Sequence, residues 1–239
     1  RSWELVLPAL EQHHDVLAPT LPGHAGGPPI AGEVDDALVP DAIERAMDAA
    51  GWDAAHLVGN SLGGYTALQL AARGRARSVV AFAPAGGWAA DDASWRETLA
   101  LQATMRDQAA AAAPHAGAIV ASPEGRRRAT RLITATFEHI PAELLAHQML
   151  GVARCDGAEA MIECALREGY RLDAARITCP VRIVWGTDDR LLPWPSAAAR
   201  YRDDWLPHAD WVELEGVGHC PQLDVPLEAA QLIVGFTAR

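Results

Sequence analysis

Lysine is absent from this chain: its 20 basic residues are all arginines, and 31 acidic residues give a formal net charge of −11. A protein that binds nucleic acid or an anionic membrane surface normally presents a basic patch to the phosphates. The acidic balance therefore argues against both kinds of partner. We expect a protein that binds neither nucleic acid nor membrane, and the sequence does not specify an oligomeric state.

Cysteine is scarce, with four residues in 239. None stands in a Cys-x-x-Cys pair, and the density is far below that of a disulfide scaffold. We therefore expect inert, reduced thiols and a cytoplasmic location. Because the chain opens on Arg1 and not on methionine, a signal peptide ahead of it stays an open alternative.

Long apolar runs are also missing. The longest stretches, near 79–90 and 109–121, are interrupted by Pro, Gly or His and are too short to cross a bilayer. Four of the nine histidines, at 115, 139, 147 and 208, lack the paired spacing of metal ligands. We expect no transmembrane helix, no metal site and no cofactor.

Short runs rich in Val, Leu and Ile alternate with longer helical patterns along the chain. Strands are predicted at 15–19, 55–58, 78–83, 181–185 and 211–214. Helices are predicted at 3–13, 33–50, 62–73, 196–205 and 226–237, with Gly51 and Gly74 as left-handed stops. This alternation is typical of βαβ units, so we predict an α/β fold with a mostly parallel, doubly wound sheet.

One interval breaks the alternation. From Trp88 to Arg176 the sequence shows only an Ala-rich helical pattern interrupted by prolines. A helical insertion accounts for this most simply. We therefore predict a core formed by residues 1–87 and 177–239, and an inserted helical unit at 88–176.

The clearest chemical motif is Gly59-Asn60-Ser61-Leu62-Gly63, which lies between a strand pattern and a helix pattern. A serine on so sharp a turn has a strained backbone, and we expect Gly59 and Gly63 to be needed because side chains there would collide. The helix that begins at Leu62 directs unpaired N–H groups towards the same point, which favours a developing oxyanion. The motif predicts that Ser61 is a nucleophile.

A serine hydroxyl needs a base to take its proton and an acid to orient that base. Asp189 follows the predicted strand at 181–185, and His219 follows the one at 211–214. Cys220 lacks the strand-turn-helix setting of a nucleophile, so we expect a packed thiol. The order Ser61, Asp189, His219 predicts a catalytic triad.

These motifs resemble the α/β-hydrolase family over the whole chain. The resemblance rests on the nucleophile turn, a Trp-Gly-x-x-Asp-x-x-x-Pro loop that selects Asp189 over Asp188, and a Gly-His loop at His219. It implies an α/β-hydrolase sheet, a helical cap or lid at 88–176, and an oxyanion hole that includes the Leu62 N–H. His24 matches the family's Pro-Gly-His loop, where a structural role is expected.

The resemblance implies acyl transfer on a small, largely apolar substrate, without a cofactor. Serine at the nucleophile position excludes the family's aspartate-dependent epoxide hydrolases and dehalogenases. Ester hydrolysis is the favoured reaction among those that remain. A lactonase or an amidase would show the same sequence motifs. Asn60 resembles the Gly-Asn-Ser turn of some C–C bond hydrolases, and a non-catalytic small-molecule receptor on the same fold is the remaining alternative.

The family also carries a strand ending in His-Gly shortly before the segment that begins at Arg1, and its loop supplies a second oxyanion donor. This chain contains neither. We therefore expect an N-terminally truncated sequence that lacks its first strands and half of the oxyanion hole.

Overall fold

A computed structural model describes residues 1–238. Its centre is a four-stranded parallel sheet in which the strands lie side by side in chain order. The strands are β1 (Ala55–Asn60), β2 (Ala76–Phe82), β3 (Val181–Gly186) and β4 (Asp210–Leu214). The predicted parallel sheet is confirmed, and four of the five predicted strands agree with it closely.

The register brings the carboxyl ends of the strands to one edge. Asn60 is paired with Phe82 at the ends of β1 and β2, and Gly186 with Leu214 at the ends of β3 and β4. In an open α/β sheet this edge is where ligand sites form. The loops that carry Ser61, Asp189 and His219 all leave the sheet here.

The sheet is covered on both faces because successive residues of β2 are apolar and their side chains point to opposite faces in turn. Val79 and Ala81 of β2 belong to one buried cluster, together with Leu68 of the helix that follows β1. Val80 and Phe82 belong to a second cluster with residues of the first and last helices. Helices on both faces confirm the doubly wound arrangement.

The helices of the sheet layers are α1 (Leu7–Leu10), α2 (Leu38–Ala49), α3 (Leu62–Ala72), α9 (Pro221–Asp224) and α10 (Pro226–Thr237). Between β2 and β3 the chain forms α4 (Trp95–Ala112), α5 (Ala116–Val120), α6 (Pro123–Thr130), α7 (Ala142–Ala153) and α8 (Ala158–Glu168). The predicted helical character of 88–176 agrees with this, while its assignment as a separate cap stays a prediction. Over residues 1–238 we find no helix that combines the length and the apolar character needed to span a membrane.

The predicted strand at 15–19 is wrong. These residues are exposed and irregular, and no strand within residues 1–238 pairs with them. A β-strand exists only where a neighbour accepts its backbone hydrogen bonds, so an apolar pattern without such a neighbour remains extended chain.

Three predicted helices differ from the structure. The helix predicted at 3–13 is reduced to α1, because turns with i→i−3 hydrogen bonds flank it on both sides. The helix predicted at 33–50 begins only at the first residue of α2, and Pro40 lies in its first turn, where proline is tolerated. The helix at 196–205 becomes a 3₁₀ turn, Ser196–Ala198, and a π-helical turn, Tyr201–Trp205. Both expected left-handed stops are present, with φ +76° at Gly51 and +80° at Gly74.

Candidate active site

Ser61 stands on a strained turn between β1 and α3. Its φ of 55° lies in the left-handed region, which costs an L-residue about 1–3 kcal/mol. The turn is held by the end of β2 and the loop after it: the Ser61 N–H donates to the Phe82 carbonyl at 2.9 Å, and the Ser61 carbonyl accepts from the Ala85 N–H at 3.1 Å. These two backbone hydrogen bonds help to hold the strained turn.

The glycines of the motif are not equally constrained. A Cβ added at Gly59 would lie 2.0 Å from the Gly63 carbonyl oxygen, so glycine is required there. A Cβ at Gly63 would meet nothing within 4 Å. The expectation that packing requires both glycines is therefore wrong for Gly63. At the next position, Gly64, a Cβ would lie 3.1 Å from Pro84.

Leu62 is the first residue of α3, and the first helical hydrogen bond of that turn runs from the Tyr65 N–H to the Ser61 carbonyl at 3.0 Å. The N–H groups ahead of Tyr65 have no partner within the helix. The Leu62 N–H therefore has the character expected of an oxyanion donor. The oxyanion role of Leu62, the second donor and the strands expected ahead of Arg1 all stay predictions.

Asp189 and His219 form a buried pair. Asp189 Oδ2 lies 2.7 Å from His219 Nδ1, and the two residues are 5% and 3% exposed. The other carboxylate oxygen accepts from the N–H groups of Leu191 at 2.9 Å and Leu192 at 2.7 Å. These bonds fix the carboxylate, and a hydrogen bond from Nδ1 to it would leave Nε2 as the ring nitrogen able to accept a proton. Asp188 is exposed, and the assignment of Asp189 as the acid stays a prediction.

The chain's single asparagine joins the turn at Ser61 to the base loop, which is the loop at 215–220 that carries His219. Asn60 Nδ2 donates to the carbonyls of Phe82 at 3.1 Å and His219 at 2.9 Å. Asn60 Oδ1 accepts from Cys220 Sγ at 3.3 Å and from Gln222 Nε2 at 3.1 Å. Both ends of the amide are occupied.

For residues 1–238 the structure gives no hydrogen bond between the Ser61 hydroxyl and the His219 ring, a contact that often tightens only with substrate bound.

Two other candidate residues occupy structural positions. Burial, reinforced by the charges of Asp189 and Asp224, raises the pKa of the Cys220 thiol well above its ordinary value, so the thiol stays protonated. The His24 ring lies 3.1 Å from the Pro22 carbonyl, within its own loop.

The base loop is covered by apolar residues of the helical insertion. Cys220 and Leu223 share a buried cluster with Ile140, Leu144 and Val120, all of which lie between β2 and β3. Apolar side chains of the insertion therefore cover the residues that follow His219.

A cavity of about 930 Å³ opens between the loop at 23–34 and helices α7 and α8. Ser61, Asp189 and His219 are not part of its lining, which instead carries charged side chains of both signs. The cavity is therefore separate from the predicted triad residues. No group of three or more His, Cys, Asp or Glu side chains suited to a metal ion occurs in the described part of the chain.

Sequence reasoning missed Asp224, a 4% exposed carboxylate that bonds to the loop of His219. Its partners on the insertion are 88 and 89 positions away along the chain. The only sequence signal was an acidic residue five positions after His219, at the end of a short apolar stretch. Such a residue is ordinarily read as exposed.

Comparison with known proteins gives a consistent result. A family model described as the alpha/beta hydrolase fold matches residues 1–226. Epoxide hydrolase EphH of Mycobacterium tuberculosis is 33% identical over 204 residues, which cover 85% of this chain and 95% of that protein. The pimeloyl-(acyl-carrier protein) methyl ester esterase of Aromatoleum aromaticum is 30% identical, with 97% of this chain and 90% of the esterase covered.

Solved structures with this fold include 2-hydroxy-6-oxo-6-phenylhexa-2,4-dienoate hydrolase from Rhodococcus sp. strain RHA1. It superposes with a TM-score of 0.76 at 21% identity, covering 100% of this chain and 85% of that one. A thermophilic esterase from Thermogutta terrifontis superposes with a TM-score of 0.70 at 21% identity, covering 98% and 84%. At these identities the likeness concerns the fold alone.

Proposed function

The chain belongs to the α/β-hydrolase family, and from this premise we propose that it is a serine hydrolase that cleaves an ester or related acyl bond of a small, largely apolar substrate. Ser61 is the proposed nucleophile, His219 the base and Asp189 the acid that orients it. The observation that carries the proposal is the 2.7 Å contact between the buried Asp189 carboxylate and the His219 ring. Burial of so polar a pair is costly unless it is hydrogen-bonded, and buried pairs of titratable groups are candidates for functional sites.

In the proposed mechanism His219 Nε2 removes the hydroxyl proton of Ser61 while Oγ attacks the carbonyl carbon. The oxyanion that forms accepts from the Leu62 N–H, and the imidazolium is stabilised by Asp189. His219 then protonates the leaving alcohol, which departs and leaves an acyl-serine. Water, deprotonated by His219, attacks the carbonyl carbon of this ester, and His219 returns the proton to Ser61 Oγ as the acyl–Oγ bond breaks, which releases the acid and restores Ser61.

The name of the mycobacterial relative raises epoxide hydrolysis, and the chemistry of the nucleophile argues against it here. Attack of a carboxylate on an epoxide gives an ester, which water can open at its carbonyl carbon. Attack of Ser61 would give an ether, which has no carbonyl carbon and would not turn over. Acyl substrates are therefore favoured over epoxides.

The experiment is labelling by a fluorophosphonate probe, with the site located by mass spectrometry. We expect the wild type to be labelled at Ser61 and to hydrolyse p-nitrophenyl acetate and butyrate. Ser61→Ala should lose both properties. Ser94→Ala is the matched control, because Ser94 is exposed and its hydroxyl does not cap its helix; it should behave as the wild type.

The alternatives predict different results. Labelling together with cleavage of a vinylogous diketone, but not of esters, would favour a C–C bond hydrolase. Diol formation from styrene oxide would contradict the proposed nucleophile chemistry. Absence of labelling and of turnover, with small molecules still raising the unfolding temperature, would favour a receptor.

A further inference from the structure

Asp224, at the end of the short helix α9, has a densely bonded carboxylate. Its Oδ2 accepts from the N–H groups of Gly218 at 2.7 Å and Ala135 at 2.8 Å. Its Oδ1 accepts from the Thr136 N–H at 2.7 Å and the Thr136 hydroxyl at 2.6 Å. The residue is 4% exposed, and no Arg or His within residues 1–238 forms an ion pair with it.

These four bonds join two separate parts of the fold. Gly218 immediately precedes His219, whereas Ala135 and Thr136 belong to the segment between α6 and α7 of the helical insertion. One carboxylate oxygen is shared between the two parts, since Oδ2 accepts from both Gly218 and Ala135. The side chain therefore bridges the insertion and the base loop.

Further contacts run along the same seam. The Cys220 N–H donates to the Ile133 carbonyl at 2.8 Å, and the His139 ring lies 2.7 Å from the Leu223 carbonyl. The seam is tight, because a Cβ on Gly218 would lie 2.8 Å from Thr134 Cα. The base loop is thus in direct backbone contact with the segment at 133–139.

We propose that Asp224 is a positioning residue: it sets the placement of His219 by tying the base loop to the helical insertion, so that turnover depends on the insertion being docked. The physical reason is the cost of leaving a buried carboxylate without donors. If the insertion moved away, the carboxylate would lose three of its four bonds. The docked arrangement is the one in which Gly218, and with it His219, is fixed.

The placement of His219 is consequently fixed from two sides. Asn60 holds its carbonyl from the nucleophile turn, at 2.9 Å. Asp224 holds the preceding N–H from the insertion, at 2.7 Å. A displacement of about 1 Å at a catalytic group can lower turnover by about 100-fold, so loss of either hydrogen bond should lower turnover measurably.

The proposal rests on the proposed serine hydrolase function, and its test separates the two. Asp224→Asn replaces one accepting oxygen by an NH₂ group that faces N–H or O–H donors. We expect turnover per fluorophosphonate-labelled Ser61 to fall about 10- to 100-fold, with a smaller change in KM. Glu228→Gln is the matched control, since Glu228 is exposed on the neighbouring helix α10, and it should leave turnover unchanged.

Hydrogen exchange measured by mass spectrometry provides a readout that does not need turnover. In Asp224→Asn the amides of Ala135, Thr136 and Gly218 should exchange about tenfold faster, because each loses or weakens its acceptor. Peptides from β2 and β3 should keep their wild-type exchange. A general increase across those strands would indicate that the variant is destabilised as a whole and would count against a local positioning role.

Thr136→Val covers the case in which Asp224→Asn does not fold. It removes a single hydroxyl donor at nearly constant volume and leaves three N–H donors on the carboxylate. We expect a smaller fall in turnover, of about threefold to tenfold, with wild-type probe labelling. Unchanged turnover per labelled site in both variants would overturn the positioning role. Absence of labelling in the wild type would instead overturn the proposed function.

Discussion

The Asn60 side chain donates from Nδ2 to the backbone carbonyl of His219 at 2.9 Å, across 159 positions of sequence. Its second acceptor is Phe82 at the end of β2, so one amide group spans two strand ends and the base loop. The residue before the proposed nucleophile therefore fixes the proposed base. Because both ends of the amide make structural hydrogen bonds, Asn60 has a role that does not depend on the reaction, and its presence is weaker support for C–C bond hydrolysis.

The first prediction concerns this amide. Asn60→Asp keeps the shape but places an oxygen against two carbonyl oxygens, which leaves buried acceptors without donors. We expect the free energy of unfolding to fall by about 1–3 kcal/mol, measured by urea denaturation, and ester turnover to fall with it. Gln108→Glu makes the same chemical change on the exposed side of α4 and should alter neither quantity. Equal stability of the two variants would show that the amide contacts are dispensable.

The second prediction separates two adjacent carboxylates. Asp189→Asn should lower kcat by about three to four orders of magnitude, because an amide at this position no longer holds the His219 ring in the tautomer with the proton on Nδ1. Asp188→Asn should cost little, because that side chain is exposed. Circular dichroism would verify that both variants remain folded. Similar losses at both positions would mean that the acid is wrongly assigned.

The residues that sequence reasoning identified share one property: each lies in a short motif whose context is local. Ser61 was recognisable because its strand, turn and helix are contiguous, and Asp189 because its loop directly follows β3. Asp224 was not recognisable, since its partners on the insertion are 88 and 89 positions away and only folding brings them together. The wrong strand at 15–19 has the same origin, because pairing with a neighbour is a property of the sheet and not of the segment.

The third prediction uses pH. Burial raises the pKa of Asp36 above its ordinary value of 3.8, opposed by the hydrogen bond from Tyr65. A carboxyl that holds its proton more tightly when folded contributes most stability below about pH 3.8, and this contribution is lost as pH rises through the raised folded pKa. Asp36→Asn has no such titration. As pH rises from the ordinary pKa to the raised folded pKa, the stability of the variant should therefore increase relative to that of the wild type. A stability difference that stays constant between about pH 3 and pH 8 would contradict the assignment.

The last prediction tests the nucleophile turn through its two outer glycines. At Gly59 an added methyl group would lie 2.0 Å from the Gly63 carbonyl oxygen and 2.5 Å from the Gly64 nitrogen, both backbone atoms that cannot move without displacing Ser61. Gly59→Ala should therefore lower the free energy of unfolding by about 1–3 kcal/mol and greatly reduce probe labelling. The measurements are urea denaturation and the rate of fluorophosphonate labelling at Ser61.

Gly63→Ala is the matched change on the other side of the serine. Here the methyl group meets open space, and alanine within a helix is favoured over glycine by about 0.5–1 kcal/mol. We expect this variant to be at least as stable as the wild type and to keep its labelling rate. If Gly63→Ala instead lost labelling while staying folded, the open space beside Gly63 would be needed by the substrate or the probe, and the glycine would be explained by ligand access and not by packing within the protein.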